Sequence, residues 1–286
     1  MSVPRVRTVE VTVGKEKEFS ISPISDLHIE ARDFPNDEFQ EFLTERNKLP
    51  GHRAILIGDV MDLVVPVDLR RWRASTQDAS LAGRDDWLNG AVDLAVERLT
   101  ASGTKYDLVS PGNHEDEFIK RHGVDTTSML ARELRCARGG YSGYIRYVVK
   151  SEIGKTIKPV GNFNICYHHG AWGCRLVKGF GGARDYFRAF DSWHVALFGH
   201  NHQSVINRET KLRPGRNGNL VEYPVYYVCT GTWIESYSKD AQRTHYAERH
   251  GYMPTPRQSP LIRVKVNNHG TGREPRGIFL TYTVEM

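Results

Sequence analysis

Apolar and polar positions along the first 110 residues alternate between two periods. Val9 to Val13 and Phe19 to Ile24 are rich in apolar and β-branched residues and predict strands. Within Glu38 to Leu49, the residues Phe39, Phe42, Leu43 and Leu49 recur at roughly helical spacing and predict a helix. Ala54 to Ile57 is a short apolar run of buried-strand type. Trp87, Val92, Leu94, Ala95 and Leu99 form a second helical stripe over Trp87 to Leu99, and Tyr106 to Val109 again reads as a strand. This βαβαβ order predicts an α/β sandwich whose first sheet is largely parallel. The second half is richer in strands: Tyr144 to Val149, Phe163 to Tyr167, Val195 to Phe198, Val225 to Val228, Leu261 to Val266 and Ile278 to Val284. One helix, Ala183 to Phe190, interrupts them. No internal repeat or low-complexity linker divides the chain. A single domain over residues 1–286 is expected, with polar excursions at 66–84 and 239–260.

Composition narrows the class. The chain has 286 residues, 39% hydrophobic and 26% charged, which excludes a mainly disordered protein. Lys+Arg 39 against Asp+Glu 34 gives a net charge of +5, a mild excess compatible with an anionic ligand. No apolar run approaches the roughly 20 residues that span a bilayer, so no membrane partner is expected. The opening residues Met-Ser-Val-Pro-Arg-Val-Arg carry no apolar stretch of signal-peptide type. The four cysteines, Cys136, Cys166, Cys174 and Cys229, form no Cys-x-x-Cys pair, and Cys166 and Cys229 lie in apolar runs. A reducing, cytoplasmic compartment is the expectation.

The chemistry gathers where predicted strands end. Asp26-Leu27-His28 follows the strand ending at Ile24, and Gly58-Asp59-Val60-Met61-Asp62 follows Ala54 to Ile57. Gly112-Asn113-His114-Glu115 follows Tyr106 to Val109. His168-His169-Gly170 follows Phe163 to Tyr167, and Gly199-His200-Asn201-His202 follows Val195 to Phe198. In open α/β sheets the carboxyl edge of the strands is where ligands bind. Residues two apart on an extended segment face the same side, so Asp26 with His28, and His200 with His202, can each address one site. Six of the twelve histidines fall in these segments, a concentration not expected of scattered structural histidines. Carboxylate, imidazole and amide oxygen without thiolate suit manganese, iron, zinc or cobalt. One aspartate flanked by two ligand sets suggests a bridge between two ions about 3.5–4 Å apart.

The series Asp-x-His, Gly-Asp-x-x-Asp, Gly-Asn-His-Glu, His-Gly and Gly-His-x-His resembles the calcineurin-like metallophosphoesterase superfamily. It runs from residue 26 to 202. The resemblance implies a four-layer αββα sandwich with mixed sheets and a dinuclear centre at its crest. By motif it assigns Asp26, His28 and His202 to one ion and Asn113, His169 and His200 to the other, with Asp59 bridging. It implies two divalent ions, manganese first, with iron, zinc, nickel or cobalt as the other candidates. His114 matches the histidine that protonates the leaving oxygen, Asn113 a contact to the phosphoryl group, and Asp62 the acid that pairs with the histidine. The reaction implied is hydrolysis of a phosphate ester by a metal-bridging hydroxide.

The chain departs from the phosphoprotein phosphatases. Ser25 precedes Asp26, Ile29 follows His28, and Leu63-Val64 stand where that branch has Arg-Gly. A phosphodiesterase acting on nucleotides or nucleic acid is therefore the first expectation, with a phosphomonoesterase or protein phosphatase as the alternative. A non-catalytic interaction scaffold is a further one, although every matched position is filled. His168 stays open as a ligand in place of His169. Thr230-Gly231-Thr232 resembles a loop that many members place near the site. Gly179-Phe180-Gly181-Gly182 reads as a plain loop before a helix. Arg70, Arg71 and Arg73 around Trp72, and Arg175, Lys178, Arg184 and Arg188, are basic clusters that could meet an anionic substrate.

Overall fold

A computed structural model of the chain describes residues 5–65, 72, 76–153, 156–172, 180–215, 218–237, 248, 251, 253–268 and 278–286. In chain order the elements are β1 (Val6–Val13), β2 (Glu18–Ile24), α1 (Asn36–Asn47), β3 (Arg53–Ile57), α2 (Trp87–Thr100), β4 (Tyr106–Ser110), α3 (Asn113–His122) and α4 (Thr126–Glu133). There follow β5 (Ala137–Arg138), β6 (Ser142–Ile153), β7 (Thr156–His168), α5 (Phe180–Arg188), β8 (Val195–Phe198), β9 (Ser204–Pro214), β10 (Leu220–Thr230), β11 (Leu261–Asn268) and β12 (Ile278–Glu285).

These strands form two six-stranded sheets, ordered β12-β11-β2-β3-β4-β5 and β1-β6-β7-β8-β10-β9. In the first sheet β2, β3, β4 and β5 are parallel, as the βαβαβ pattern predicts, and β11 and β12 add an antiparallel edge. In the second, β7, β8 and β10 are mutually parallel, while β6 and β9 run antiparallel to their neighbours β7 and β10.

Alternation along the strands makes the layers. Ile55 and Ile57 of β3 face the other sheet and pack with Ile21, Leu108, Ile145, Tyr147, Phe163 and Val195 in the inter-sheet core. Ala54 and Leu56 face the opposite way, against Phe39 and Leu43 of α1 and Trp87, Ala91, Ala95 and Leu99 of α2. That four-residue spacing is the buried stripe of α2. On the outer face of the second sheet Cys166, Ala196, Phe198 and Tyr227 pack against Ala183 and Phe187 of α5. The result is helix, sheet, sheet, helix, the expected αββα order. A buried ion pair ties the sheets: Arg53 of β3 donates to both oxygens of Asp107 on β4, and the Tyr147 hydroxyl of β6 donates to Asp107 Oδ2 at 3.0 Å.

Some details differ from the expectations. β1 is next to β2 in the chain but crosses to the second sheet and pairs with β6 in parallel. α3 and α4 carry no stripe long enough to announce a helix: α3 buries only Glu115 and Phe118, and α4 has eight residues. β9 is an edge strand with mostly polar, partly exposed positions, so it shows no apolar run. α5 begins at Phe180 and ends at Arg188 rather than spanning Ala183 to Phe190. Cys136, Cys166 and Cys229 are free, and the latter two are buried as expected; Cys174 lies outside the described residues. Of the polar excursions, the first, 66–84, is anchored within its described residues by a bridge between Ala31 and Gln77. The end of the other is anchored by Trp233 Nε1 donating to Ser259 Oγ at 3.0 Å. No described helix is long and apolar enough to cross a membrane.

Candidate metal centre

Parallel pairing brings five strand ends to one edge. Ile24 is in register with Leu56, and Ile57 with Ser110, so the loops after β2, β3 and β4 emerge side by side. His168 is in register with Phe198, which does the same for the loops after β7 and β8. Backbone bonds then tie loop to loop. Asp26 N donates to Gly58 O at 3.1 Å, His28 N to Asp59 O at 3.1 Å, and Gly199 N to His169 O at 2.7 Å. Across the sheets, His200 N donates to Asp26 Oδ2 at 3.0 Å.

The loops that carry the candidate ligands are not extended, contrary to the sequence expectation. Asp26, His28, Asp59, His200 and His202 all adopt the left-handed conformation, with φ of 52°, 47°, 48°, 69° and 53°. They account for five of the nine described non-glycine residues with positive φ, a costly state that clusters where a site over-determines the backbone. Two glycines allow the crowding. A Cβ on Gly58 (φ +95°) would lie 2.3 Å from His169 Nδ1, and one on Gly112 would lie 2.2 Å from Asp59 Oδ1.

The side chains converge in three overlapping groups: Asp26, His28 and His202; His28, Asp59 and His114; and Asp59, His169 and His200. Within each group the candidate ligand atoms lie within 4.8 Å of one another. His202 Nε2 is 3.4 Å from Asp26 Oδ1, and His169 Nε2 is 3.1 Å from Asp59 Oδ2. Asn113 Oδ1 is also 3.1 Å from His169 Nε2. His169 Nδ1 donates to Ile57 O at 2.9 Å, which leaves Nε2 as the lone-pair nitrogen of the neutral ring. Three electron-donating atoms thus face one another, a set that needs a proton or a cation between them. Burial disfavours a charged His169, yet the Asp59 carboxylate raises its pKa to about 9. His28 gives a second test of fit. Its Nδ1 is 3.1 Å from Asp62 Oδ1, while its buried Nε2 has no hydrogen-bond partner. A coordinate bond would satisfy that nitrogen. The residues therefore fit a pair of divalent ions.

His114 lies in the first turn of α3, where its backbone N–H donates to Asp59 Oδ1 at 3.0 Å. Its Nδ1 lies 2.7 Å from Asp62 O and 3.1 Å from Asp62 Oδ1. Burial pulls the His114 pKa down, but the bond to Asp62 and the charges of Asp59 and Asp62 outweigh it and raise it to about 10. Burial also opposes the Asp62 carboxylate, yet hydrogen bonds from His114 and His28 hold its pKa well below the usual range. Asp62 therefore orients His28 as well as His114.

Several participants were not assigned a role from sequence. Glu115 is buried and accepts from Asp59 N at 3.0 Å, Met61 N at 3.0 Å and Gly112 N at 2.8 Å. The fourth residue of Gly-Asn-His-Glu is thus a capping carboxylate that also ties two loops together. Ser25 Oγ donates to Asp26 Oδ2 and is 2.6 Å from Thr230 Oγ1. Thr232 Oγ1 and Trp233 N both donate to Asp26 O, at 2.9 and 3.2 Å, so the Thr230-Gly231-Thr232 loop braces Asp26. Glu30 lies beneath Asp62: burial raises its pKa to about 7, and its Oε1 accepts from Leu63 N at 2.7 Å.

His168 points away from the cluster. Its ring is 4.8 Å from those of Trp172 and Tyr186 and 5.1 Å from that of Tyr141. Burial and the neighbouring His169 and His200 push its pKa down to about 4. The basic clusters contribute little that is visible. Arg70, Arg71, Arg73, Arg175, Lys178 and Gly179 lie outside the described residues. Trp72 packs on Trp87 at 5.9 Å. Arg184 and Arg188 on α5 pair with Glu209 and Asp185.

No family model matches the chain, and no curated protein matches it. Solved structures do. Vps29 from Chaetomium thermophilum shares 10% identity at a TM-score of 0.33, over 93% of this chain and 96% of that one. A metallophosphoesterase from Sphaerobacter thermophilus shares 13% at 0.35, over 92% and 88%. The NAD nucleotidase NadN of Haemophilus influenzae shares 10% at 0.38, over 93% of this chain but 49% of its own length. Likeness at that level leaves function to the chain's own residues. In its ordered motifs, its αββα layers and the convergence of its strand ends, the chain resembles the calcineurin-like metallophosphoesterases.

Proposed function

We propose that the chain is a dimetal-dependent phosphoesterase with phosphodiesters, including nucleotides and nucleic acid, as its first substrate class. Asp59 carries the reading: its carboxylate belongs both to the group with His28 and to the group with His169 and His200, as a bridging ligand requires. Asp26, His28 and His202 would hold one ion, Asn113, His169 and His200 the other, with manganese the first candidate. When bound, such a pair of cations acidifies water at neutral pH and neutralises charge on the phosphoryl oxygens.

The rest falls to the protein. Asp62 occupies His114 Nδ1, which leaves Nε2 to carry the transferable proton. Protonated His114 and Asn113 contact the phosphoryl group, and His114 passes its proton to the departing alkoxide. Nearby cations lower the affinity of His114 for that proton, and the Asp62 carboxylate opposes them.

Leu63, in the helix-side core, and Val64 are both buried apolar residues, so this position offers no cation of the kind the phosphoprotein phosphatases have. That supports a diester preference. The Asp62–His114 pair, at 3.1 Å, favours the second reading, a phosphomonoesterase or protein phosphatase. A manganese-supplemented screen against monoesters, diesters, cyclic nucleotides and single-stranded DNA separates them, with His114→Ala as the blank. We expect diester hydrolysis, and a kcat about 10²–10⁴-fold lower in His114→Ala with metal content retained. Activity on monoesters alone would favour the second reading, and activity indifferent to His114 would overturn both.

A further inference from the structure

Beside the ligand His169 lies a group of rings that phosphoryl chemistry does not use. Tyr141 touches it first, its ring 5.6 Å from that of His169 and nearly perpendicular to it. Tyr141 is held there by its hydroxyl, which donates to Gly170 O at 3.0 Å. Next comes His168, 5.1 Å from Tyr141, then Trp172 and Tyr186, each 4.8 Å from His168 and 5.2 Å from each other. Alternation at the end of β7 explains the split: His169 turns to the metal ligands and His168 to the opposite face. Gly170 N donates to His168 Nδ1 at 2.9 Å and fixes that ring. All four rings are only half-buried, unlike the closed core around Phe187 and Phe198 that Trp172 and Tyr186 border.

We propose that Tyr141, His168, Trp172 and Tyr186 form a stacking shelf for the nucleobase of a nucleotide ester whose phosphate sits at the metal centre. The proposal rests on the phosphoesterase reading and names its substrate class. Each ring has a polar edge and a flat apolar face, which suits a base better than an alkyl chain. The position of the shelf also discriminates. It begins one ring beyond the ligand His169 and extends outward, which matches a base held a ribose away from its phosphate. A phosphotyrosine ring, bonded directly to the phosphate oxygen, would stop short of Trp172. Stacking of this type tolerates any base and is worth about tenfold or more in affinity per ring.

Calorimetry on the manganese-loaded full chain tests this apart from catalysis. Adenosine 5′-monophosphate and ribose 5-phosphate share the ribose and the phosphate and differ at C1, where the base replaces a hydroxyl. We expect the nucleotide to bind about tenfold or more tightly, the preference to fall towards one in Trp172→Ala, and Trp172→Phe to restore it. Trp172 also borders Phe187 and Phe198, so Tyr141→Leu serves as an independent variant if Trp172→Ala fails to fold; it too should erode the preference. Equal affinity for the two ligands in the native protein, or a preference unchanged in both variants, would overturn the shelf. So would a Trp172-dependent preference for phosphotyrosine over the nucleotide. Hydrolysis of the methyl ester of ribose 5-phosphate, assayed in parallel, reports on the phosphoesterase reading alone.

Discussion

Glu115 accepts three backbone N–H groups from the loops that carry Asp59 and His114. Its own charge is disfavoured by burial and by nearby Asp59, which raise its pKa, so only those bonds justify a carboxylate there. Glu115→Ala would leave three buried donors orphaned. We expect it to lower unfolding free energy by at least about 2 kcal/mol in urea titrations and to weaken manganese binding. A variant as stable and as metal-avid as the native chain would remove Glu115 from the site. At this scale the residues that converge at the candidate site were legible, because Asp, Asn and His after an apolar run stand out against a short list of ordinary reasons for being there. Their supports were not. Ser25 and Thr230 meet across 205 residues, and Asp62 touches His28 as well as His114 only because the first two loops lie side by side. Nothing local in the chain encodes either contact.

Elements set how close the ligand loops can come. β2, β3 and β4 were readable because each carries closely spaced apolar residues in a short segment buried on both faces, and α1 and α2 because each has one buried stripe. α3 escaped notice because its role is to present its first turn to Asp59, and that turn is polar. The left-handed backbone of five candidate ligand residues is likewise invisible in composition, since Asp and His adopt it only when the tertiary structure demands it. Gly112 is where packing of these elements is tightest. Gly112→Ala should preserve the far-ultraviolet circular dichroism of the sheets while metal affinity drops, because its Cβ would lie 2.2 Å from Asp59 Oδ1. Native-like affinity in that variant would mean that Asp59 is free to move and does not bridge.

Over the whole molecule, strand ends from both sheets bring donors together at one site. The αββα order could be anticipated from the motif series, whereas the crossing of β1 to the second sheet could not, since its alternation is equally good in either. Stability should depend on acid in part through His52 and His194, which lie just before the amino ends of β3 and β8. Burial, helped by the cations Arg46 and Arg53, pushes the His52 pKa down to about 4, and burial does the same for His194. Their neutral forms are wired into the fold: His52 bonds Ser22 Oγ and Asn47 Oδ1 at 3.0 Å each, and His194 Nδ1 accepts from Asn164 N at 2.9 Å. Unfolded histidine titrates near 6.5, so between about pH 6.5 and 4 the unfolded chain binds the extra protons. Their contribution is therefore complete above pH 6.5 and is lost as pH falls towards 4. Glu30 and Glu115, whose raised pKa values act in the opposite sense as pH falls, are common to both proteins, so the difference is the test: between pH 6.5 and 4 the melting temperature of the chelator-treated native chain should fall relative to that of His52→Gln. Parallel curves would show that His52 is not held neutral.

Metal stoichiometry tests the dinuclear site most directly. After reconstitution with manganese and removal of free ion, elemental analysis should find two ions per native chain. Asp59→Ala should retain fewer and hydrolyse bis-p-nitrophenyl phosphate no faster than the His114→Ala blank. One ion or none in the native chain, or an Asp59→Ala protein that keeps both ions or stays active without them, would contradict the account.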